Sequence, residues 1–118
     1  MQLRRIHHLG AAVRDLDEAI ATYGRLFGAT LELRDTLEAD GVEAASLRLG
    51  ESRVELLAAQ DGDTPVGRFL ARRGPGLHHV AYEVDDVVAA LRLLAAEGAE
   101  LVDESPRPGL FGLQVAFV

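Results

Sequence analysis

Two stretches of this chain repeat each other, and an internal repeat limits the possible folds more than any other feature of a sequence. Each stretch is an apolar segment that contains two consecutive histidines and leads through an acidic turn into an amphipathic segment ending at a glycine. The two apolar segments are Ile6–Val13 and Leu77–Val84. The histidines recur at an offset of 71 residues, so that His8 corresponds to His79. The repeat predicts two similar modules whose equivalent histidines meet at a shared site near a pseudo-twofold axis.

Composition limits the class of protein. The 118 residues suffice for one domain with a modest core. The formal net charge of −7 disfavours a nucleic-acid surface, because phosphate backbones are bound by clustered positive charge. The chain has no cysteine, which excludes disulfides, thiolate ligands and a cysteine nucleophile. With no apolar run of membrane-spanning length and no signal segment, we expect a cytoplasmic protein without nucleic-acid or membrane partners.

The hydrophobic pattern of residues 1–59 predicts a first β-α-β-β-β module. A strand at 4–13 precedes a helix whose N-cap is Asp15, with Glu18 completing a capping box. This helix is expected to end at Gly28. Three further strands are predicted at 30–36, 42–49 and 52–58.

The rest of the chain predicts a connector and a second, incomplete module. The connector, residues 60–76, contains a short helix that begins at Pro65. The second module, residues 77–118, has a helix from Asp85 or Asp86 to Gly98 and strands at 100–103 and 113–118. The counterpart of strand 52–58 would lie beyond Val118. We therefore expect a single α+β domain in which two βαβββ modules form an eight-stranded cup-like mixed sheet, with the last strand missing from this chain.

Strand alternation brings three potential metal ligands to one face of the sheet. His8 shares its face with Gly10 and Ala12, while the opposite face suits packing against the module's own helix. The same alternation turns His79 and Glu55 toward the hollow side. Two imidazoles and a carboxylate are a typical donor set for a divalent metal ion.

Other interpretations of these histidines stay open. A histidine on a strand is more often a hydrogen-bonded structural residue than a ligand, and a duplicated histidine pair can be a remnant of gene duplication. Glu55 favours the metal hypothesis, because a carboxylate in an apolar strand is costly unless it is paired or bound to metal. His7 and His78 are expected at the entrances of their strands. By symmetry, a second acidic ligand would lie at about position 126, so this chain carries three members of a four-ligand set.

These residues resemble the vicinal-oxygen-chelate superfamily, which includes glyoxalase I, bleomycin-resistance proteins and extradiol dioxygenases, and within it the methylmalonyl-CoA epimerase family. The resemblance covers essentially the whole chain. Its most specific part joins the connector helix to the second histidine pair, from Asp63 to Asp86. Other matching segments are Ile6–Gly10, Asp15–Ala19, Leu49-Gly50, Val54–Leu57 and Asp103–Gly109.

The resemblance implies that His8, Glu55 and His79 are metal ligands. The family's fourth ligand, a glutamate of a closing strand that is also its catalytic base, has no counterpart here. A second acid seen in some epimerases aligns with Ala44, and the adjacent Glu43 is expected to face the other way. The catalytic residues are therefore left unassigned.

The function implied by the resemblance is metal-dependent epimerisation at C2 of methylmalonyl-CoA. A divalent ion bound by the thioester carbonyl and a carboxylate oxygen would stabilise the enolate, while two acid/base groups remove and return the proton. The sequence does not choose among Co²⁺, Mn²⁺, Ni²⁺, Mg²⁺ and Zn²⁺. An acyl-CoA substrate and a homodimer are the expected partners.

Three alternatives remain at this point. A glyoxalase I-like lactoylglutathione lyase uses the same enolate strategy, but the 63–86 segment disfavours it. A metal-free small-molecule-binding module of the antibiotic-resistance type is favoured by the missing final strand and disfavoured by the aligned histidines and Glu55. A truncated or degenerate relative without activity is the third.

Overall fold

The computed structural model describes residues 1–118 and has an α+β fold, which confirms the predicted class. Its elements in chain order are β1 (Arg5–Ala12), α1 (Leu16–Phe27), β2 (Thr30–Leu37), β3 (Val42–Leu49), β4 (Ser52–Ala59), α2 (Pro65–Arg73), β5 (Gly76–Glu83), α3 (Val87–Ala96), β6 (Arg107–Pro108) and β7 (Gln114–Val115). Short 3₁₀ turns lie at Glu38–Asp40 and Leu110–Gly112. None of the helices is long and apolar enough to cross a membrane.

Side-chain caps define where the helices begin. Asp15, Thr64 and Asp86 each have extended backbone and accept a hydrogen bond from the backbone N–H three residues later. These bonds satisfy N–H groups that have no partner within the helix. Pro65 occupies the first turn of α2, where its missing N–H costs nothing, and Gly28 ends α1 in the left-handed conformation with φ of 67°. All three helix starts agree with the prediction.

Five strands form one mixed sheet in the order β2-β3-β4-β1-β5. The pairing of β1 with β4 is parallel, and the other pairings are antiparallel. The junction between the two modules is the pairing of β1 with β5, the strands that carry the repeated histidine pairs. The two modules therefore share a continuous sheet at the place where the repeat predicted a common site.

The two faces of this sheet are covered by different helices. Helix α1 packs on one face over a core made of Leu16, Ala45, Leu47, Leu56 and Ala58. Helix α2 packs on one end of the opposite face over a second core made of Ala12, Val42, Ala44, Leu57, Val66 and Leu70. His8, Gly10 and Glu55 lie on this second face, which we call the site face. One end of the site face is closed by α2, and the other end carries the histidines.

The second module departs from the predicted strand pattern. Residues 100–103 do not form a strand, and the strand expected at 113–118 is reduced to the two-residue ladder of β6 and β7. Instead, the carbonyl of Phe117 accepts hydrogen bonds from the N–H groups of Val102 and Asp103, and the Asp103 carboxylate accepts from Phe117 N–H. Pro106 and Pro108 offer no N–H for a longer ladder. The main sheet consequently has five strands, where the prediction placed all but the last strand of an eight-stranded cup in this chain.

Candidate metal centre

The register around Gly10 brings the predicted site residues together. Gly10 of β1 lies opposite Glu55 of β4 on one side and opposite His79 of β5 on the other. Directly opposed residues of paired strands project to the same face, so the Glu55 and His79 side chains flank Gly10 on the site face. His8 lies two residues before Gly10 on β1 and shares its face. Three strands thus contribute one polar side chain each.

The three side chains converge on a common point. His8 Nε2 lies 3.0 Å from His79 Nε2 and 3.3 Å from Glu55 Oε2. One donor atom from each residue lies within 4.8 Å of the others. The side chains of His8 and Glu55 are only 11% and 9% exposed. The structure therefore brings together a set of two nitrogen donors and one oxygen donor, in which Glu55 is buried and His8 and His79 are partly buried.

The missing side chain of Gly10 makes room for this arrangement. A Cβ atom built on Gly10 would lie 2.2 Å from His79 Cε1, 2.5 Å from Nδ1 and 2.6 Å from Nε2. The imidazole of His79 therefore rests against the bare backbone of β1, and any larger residue at position 10 would push it away. The repeat places Ala81 at the equivalent position of β5, opposite His8.

Burial sets the protonation of the three donors. Burial, together with the neighbouring His79 and His7, lowers the pKa of His8 to about 4, and burial together with His78 lowers the pKa of His79 to about 4. Burial also raises the pKa of Glu55 to about 7. Neutral imidazoles present free lone pairs, and a carboxyl group that lacks a compensating cation resists ionisation. A divalent cation fits this donor set, because it takes both lone pairs and supplies the charge that a Glu55 carboxylate needs.

His7 and His78 also belong to this cluster, although the sequence placed them at the strand entrances. His7 Nδ1 lies 2.9 Å from His8 Nδ1, and His78 Nδ1 lies 2.9 Å from His79 Nδ1. Phe69 of α2 packs edge-on against His78, with ring centroids 4.8 Å apart. The signal that could have found them is the doubling of the histidine in both repeats.

Beside the three donors, the site face has no further carboxylate side chain that is assigned as the catalytic acid or base. Glu43 lies opposite Ala58 of the α1-side core and forms an ion pair of 2.6 Å with Arg34, which confirms that it faces away from the site. Ala44 is fully buried on the site face. Asp35, which lies opposite Ala44, was missed by sequence reasoning, and its carboxylate accepts from Phe111 N–H at 2.8 Å. The catalytic acid and base stay unassigned.

A loop of the second module forms a wall beside His79. Phe117 packs edge-on against His79 with ring centroids 5.7 Å apart, and the Arg107 guanidinium lies over Phe117 at 5.3 Å. Arg107 also pairs with Asp40 at 2.9 Å and with Asp103 at 3.2 Å. The cluster thus has aromatic and charged neighbours on its β5 side and α2 at one end.

Comparison with known proteins relates the chain to members of one superfamily. A family model described as the glyoxalase/bleomycin resistance protein/dioxygenase superfamily matches residues 7–117. Uncharacterized protein YqjC of Bacillus subtilis is 31% identical over 98% of this chain and 83% of its own length. The ethylmalonyl-CoA/methylmalonyl-CoA epimerase of Cereibacter sphaeroides is 32% identical over 97% of this chain and 87% of its own length. A solved methylmalonyl-CoA epimerase in complex with methylmalonyl-CoA and NH₄⁺ superposes with a TM-score of 0.93 at 30% identity, covering 98% of this chain and 84% of that one.

Proposed function

The chain belongs to the glyoxalase/bleomycin resistance protein/dioxygenase superfamily, and we propose that it is a metal-dependent epimerase acting at C2 of methylmalonyl-CoA. The observation that carries this proposal is the convergence of His8, Glu55 and His79 on the site face of the sheet. The homologues that include methylmalonyl-CoA epimerases align with this chain over nearly its full length. A neighbour solved with methylmalonyl-CoA supports an acyl-CoA substrate.

His8, Glu55 and His79 would hold the metal ion. When bound, a divalent ion supplies Lewis acidity that makes the proton beside a thioester carbonyl removable by an ordinary base. The two imidazoles donate through Nε2, because these are the atoms that converge. Glu55 would balance part of the ionic charge, and with the two imidazoles it would supply three protein donors. The sheet register pre-arranges the ligand set, so the side chains would need little movement to bind the ion.

Neighbouring elements bury part of the site face on which the metal donors lie. Helix α2 closes one end of the site face, and Leu110 and Phe111 pack against the same core. These groups bury the α2 end of the site face, and electrostatic interactions are stronger in a buried environment than in water. A homodimer and a cytoplasmic location complete the proposal. Strand β5 lies at the edge of the sheet with Leu77 and Tyr82 more than half exposed, a surface that a second chain could cover.

Two measurements test the proposal. Isothermal titration of Co²⁺ into chelator-stripped protein should give one site per chain. NMR in D₂O should then show metal-dependent replacement of the C2 proton of methylmalonyl-CoA by deuterium. Glu55→Gln should weaken both, because its amide oxygen is a neutral and poorer donor than a carboxylate, and His79→Ala should abolish both. Glu43→Gln is the matched control, because it removes a carboxylate from the opposite face, and it should leave both unchanged.

The outcomes separate the alternatives. Stoichiometric metal in His79→Ala would contradict the ligand assignment. Tight metal binding without deuterium exchange would contradict the epimerase and direct attention to a lyase. Binding of the acyl-CoA to protein that takes up no metal would support a metal-free binding module instead.

A further inference from the structure

Four imidazoles form one continuous row on the sheet. The sequence of contacts is His7 Nδ1 to His8 Nδ1 at 2.9 Å, His8 Nε2 to His79 Nε2 at 3.0 Å, and His79 Nδ1 to His78 Nδ1 at 2.9 Å. Neighbouring rings are edge-on throughout, with interplanar angles of 81°, 83° and 84°. The row is symmetric about the contact between His8 and His79, so each inner histidine has its own outer partner.

Two β-bulges create this row. Consecutive residues of a regular strand point to opposite faces, which would keep His7 away from His8 and His78 away from His79. In the pairing of β1 with β5, however, Ile6 lies opposite Tyr82 and His8 lies opposite Ala81, so that His7 is an extra residue of β1. Further along the same pairing, Gly10 lies opposite His79 and Ala11 lies opposite Leu77, so that His78 is an extra residue of β5. Bulges of this kind re-aim a side chain, and here each one turns an outer histidine toward an inner one.

The number of protons on the four rings determines which hydrogen bonds the outer histidines His7 and His78 can accept. A neutral imidazole has one N–H donor and one bare nitrogen acceptor. If the Nε2 atoms of His8 and His79 both bind a metal ion, both must be bare, and both Nδ1 atoms then carry the proton. Each Nδ1–H points at an outer histidine Nδ1 at hydrogen-bond distance. The outer rings can accept only if their own Nδ1 atoms are bare and their protons lie on Nε2.

Without an ion, the imidazole protons along the row are arranged differently. The contact between His8 and His79 then needs one proton on one of the two Nε2 atoms. Four neutral rings satisfy all three contacts only when every N–H points in the same direction along the row. Metal binding therefore requires a tautomer change in one half of the row, and no histidine proton has to leave.

We propose that His7 and His78 are positioning residues that fix the Nδ1–H tautomer and the ring orientation of His8 and His79 for metal binding. The inference rests on the metal site of the proposed function. In metal sites of this kind the second ring nitrogen of a ligand histidine donates to a carboxylate, carbonyl or water, and loss of that acceptor weakens metal affinity about 10- to 100-fold. Here two further histidines, held by symmetric bulges, take that place.

Two substitutions at position 7 separate the acceptor from the ring. His7→Phe keeps a planar ring and removes the acceptor, whereas His7→Asn removes the ring and keeps an acceptor oxygen near the former Nδ1. Co²⁺ titration should show a dissociation constant about 10- to 100-fold weaker for His7→Phe and much closer to wild type for His7→Asn. The pair His78→Phe and His78→Asn repeats the test on β5, should a position-7 variant fail to fold. Circular dichroism of the metal-free proteins reports folding.

Nitrogen-15 NMR of Zn²⁺-loaded protein gives a readout independent of affinity. His8 and His79 should carry their protons on Nδ1, and His7 and His78 on Nε2. The opposite tautomer at the outer rings would overturn the inference, as would equal affinities of the Phe and Asn variants. If wild-type protein binds no metal ion, the proposed function itself fails and this inference fails with it, a result distinct from unaltered binding by the variants.

Discussion

Replacing Gly10 by alanine is the sharpest test of the site geometry. The added methyl carbon would lie 2.2 Å from His79 Cε1, whereas ordinary contacts begin near 3.4 Å. The imidazole must therefore move by roughly 1 Å, since the backbone of β1 is held by strands on both sides. Metal–ligand distances tolerate only about 0.2 Å. We expect Co²⁺ affinity to fall about 100-fold, the upper end of the effect of disturbing a ligand histidine, which equals about 2.7 kcal/mol.

The stability of the metal-free protein should change less than its metal affinity. Alanine restricts the unfolded chain and gains about 0.4–1 kcal/mol, while overpacking costs about 1–3 kcal/mol. Urea unfolding and Co²⁺ titration of the same samples measure both quantities. Gly62→Ala is the control, because nothing lies within 4 Å of its Cβ position, and it should leave the affinity unchanged. Wild-type Co²⁺ affinity in Gly10→Ala would refute the argument that the bare backbone of β1 positions His79.

Three further predictions concern pH, metal and capping. Because the pKa of His8 and His79 is lowered in the folded protein, their contribution to the unfolding free energy is complete above pH 6.5 and is lost as the pH falls toward 4. Because the pKa of Glu55 is raised, its contribution is complete below pH 4.5 and is lost as the pH rises through 7. The pKa of His7 and His78 is lowered as well, so four histidines oppose one carboxyl group, and the unfolding free energy of the metal-free protein should rise with pH between pH 4.5 and 6.5. Glu55→Gln should steepen this rise, and an unchanged slope in that variant contradicts the assignment. Co²⁺ at 100 times its dissociation constant should stabilise the protein by about 2.7 kcal/mol and raise the calorimetric melting temperature by roughly 10 °C, with a smaller rise in Glu55→Gln at the same Co²⁺ concentration. Thr64→Ala removes a buried cap and should cost about 1–2 kcal/mol in urea unfolding, more than Asp86→Ala at an exposed cap; the reverse order contradicts the burial argument.

The sequence predicted the elements whose signals are local. Caps at Asp15 and Asp86 and the proline at the start of α2 mark helix ends through short-range hydrogen bonding. Strands β3 and β4 follow from alternation over residues buried between two covered faces. The segment at 100–103 contains the apolar pair Leu101 and Val102 but has no strand partner, and hydrogen bonds to Phe117 fix its conformation. Such a contact joins residues far apart in the chain, and no local pattern predicts it.

Alternation likewise predicted that His8, Glu55 and His79 would share a face, and it failed for His7 and His78. Alternation assumes regular pairing, and both outer histidines are the extra residues of bulges. A bulge depends on how two distant strands pair, so it leaves little mark on either strand alone. The anchoring of Phe111 N–H by Asp35 was hidden for the same reason.

The position of His79 on an edge strand has a consequence for kinetics. His8 and Glu55 lie on β1 and β4, which are paired on both sides, whereas β5 is paired only with β1. Edge elements open locally more easily than the centre of a sheet, and β5 joins the sheet only after the chain closes a loop of some 70 residues. During folding, the complete set of metal donors would therefore form only at the end, when β5 joins the sheet. In the native protein, ion release would follow the transient opening of β5, so its rate should match amide hydrogen exchange in that strand and not global unfolding.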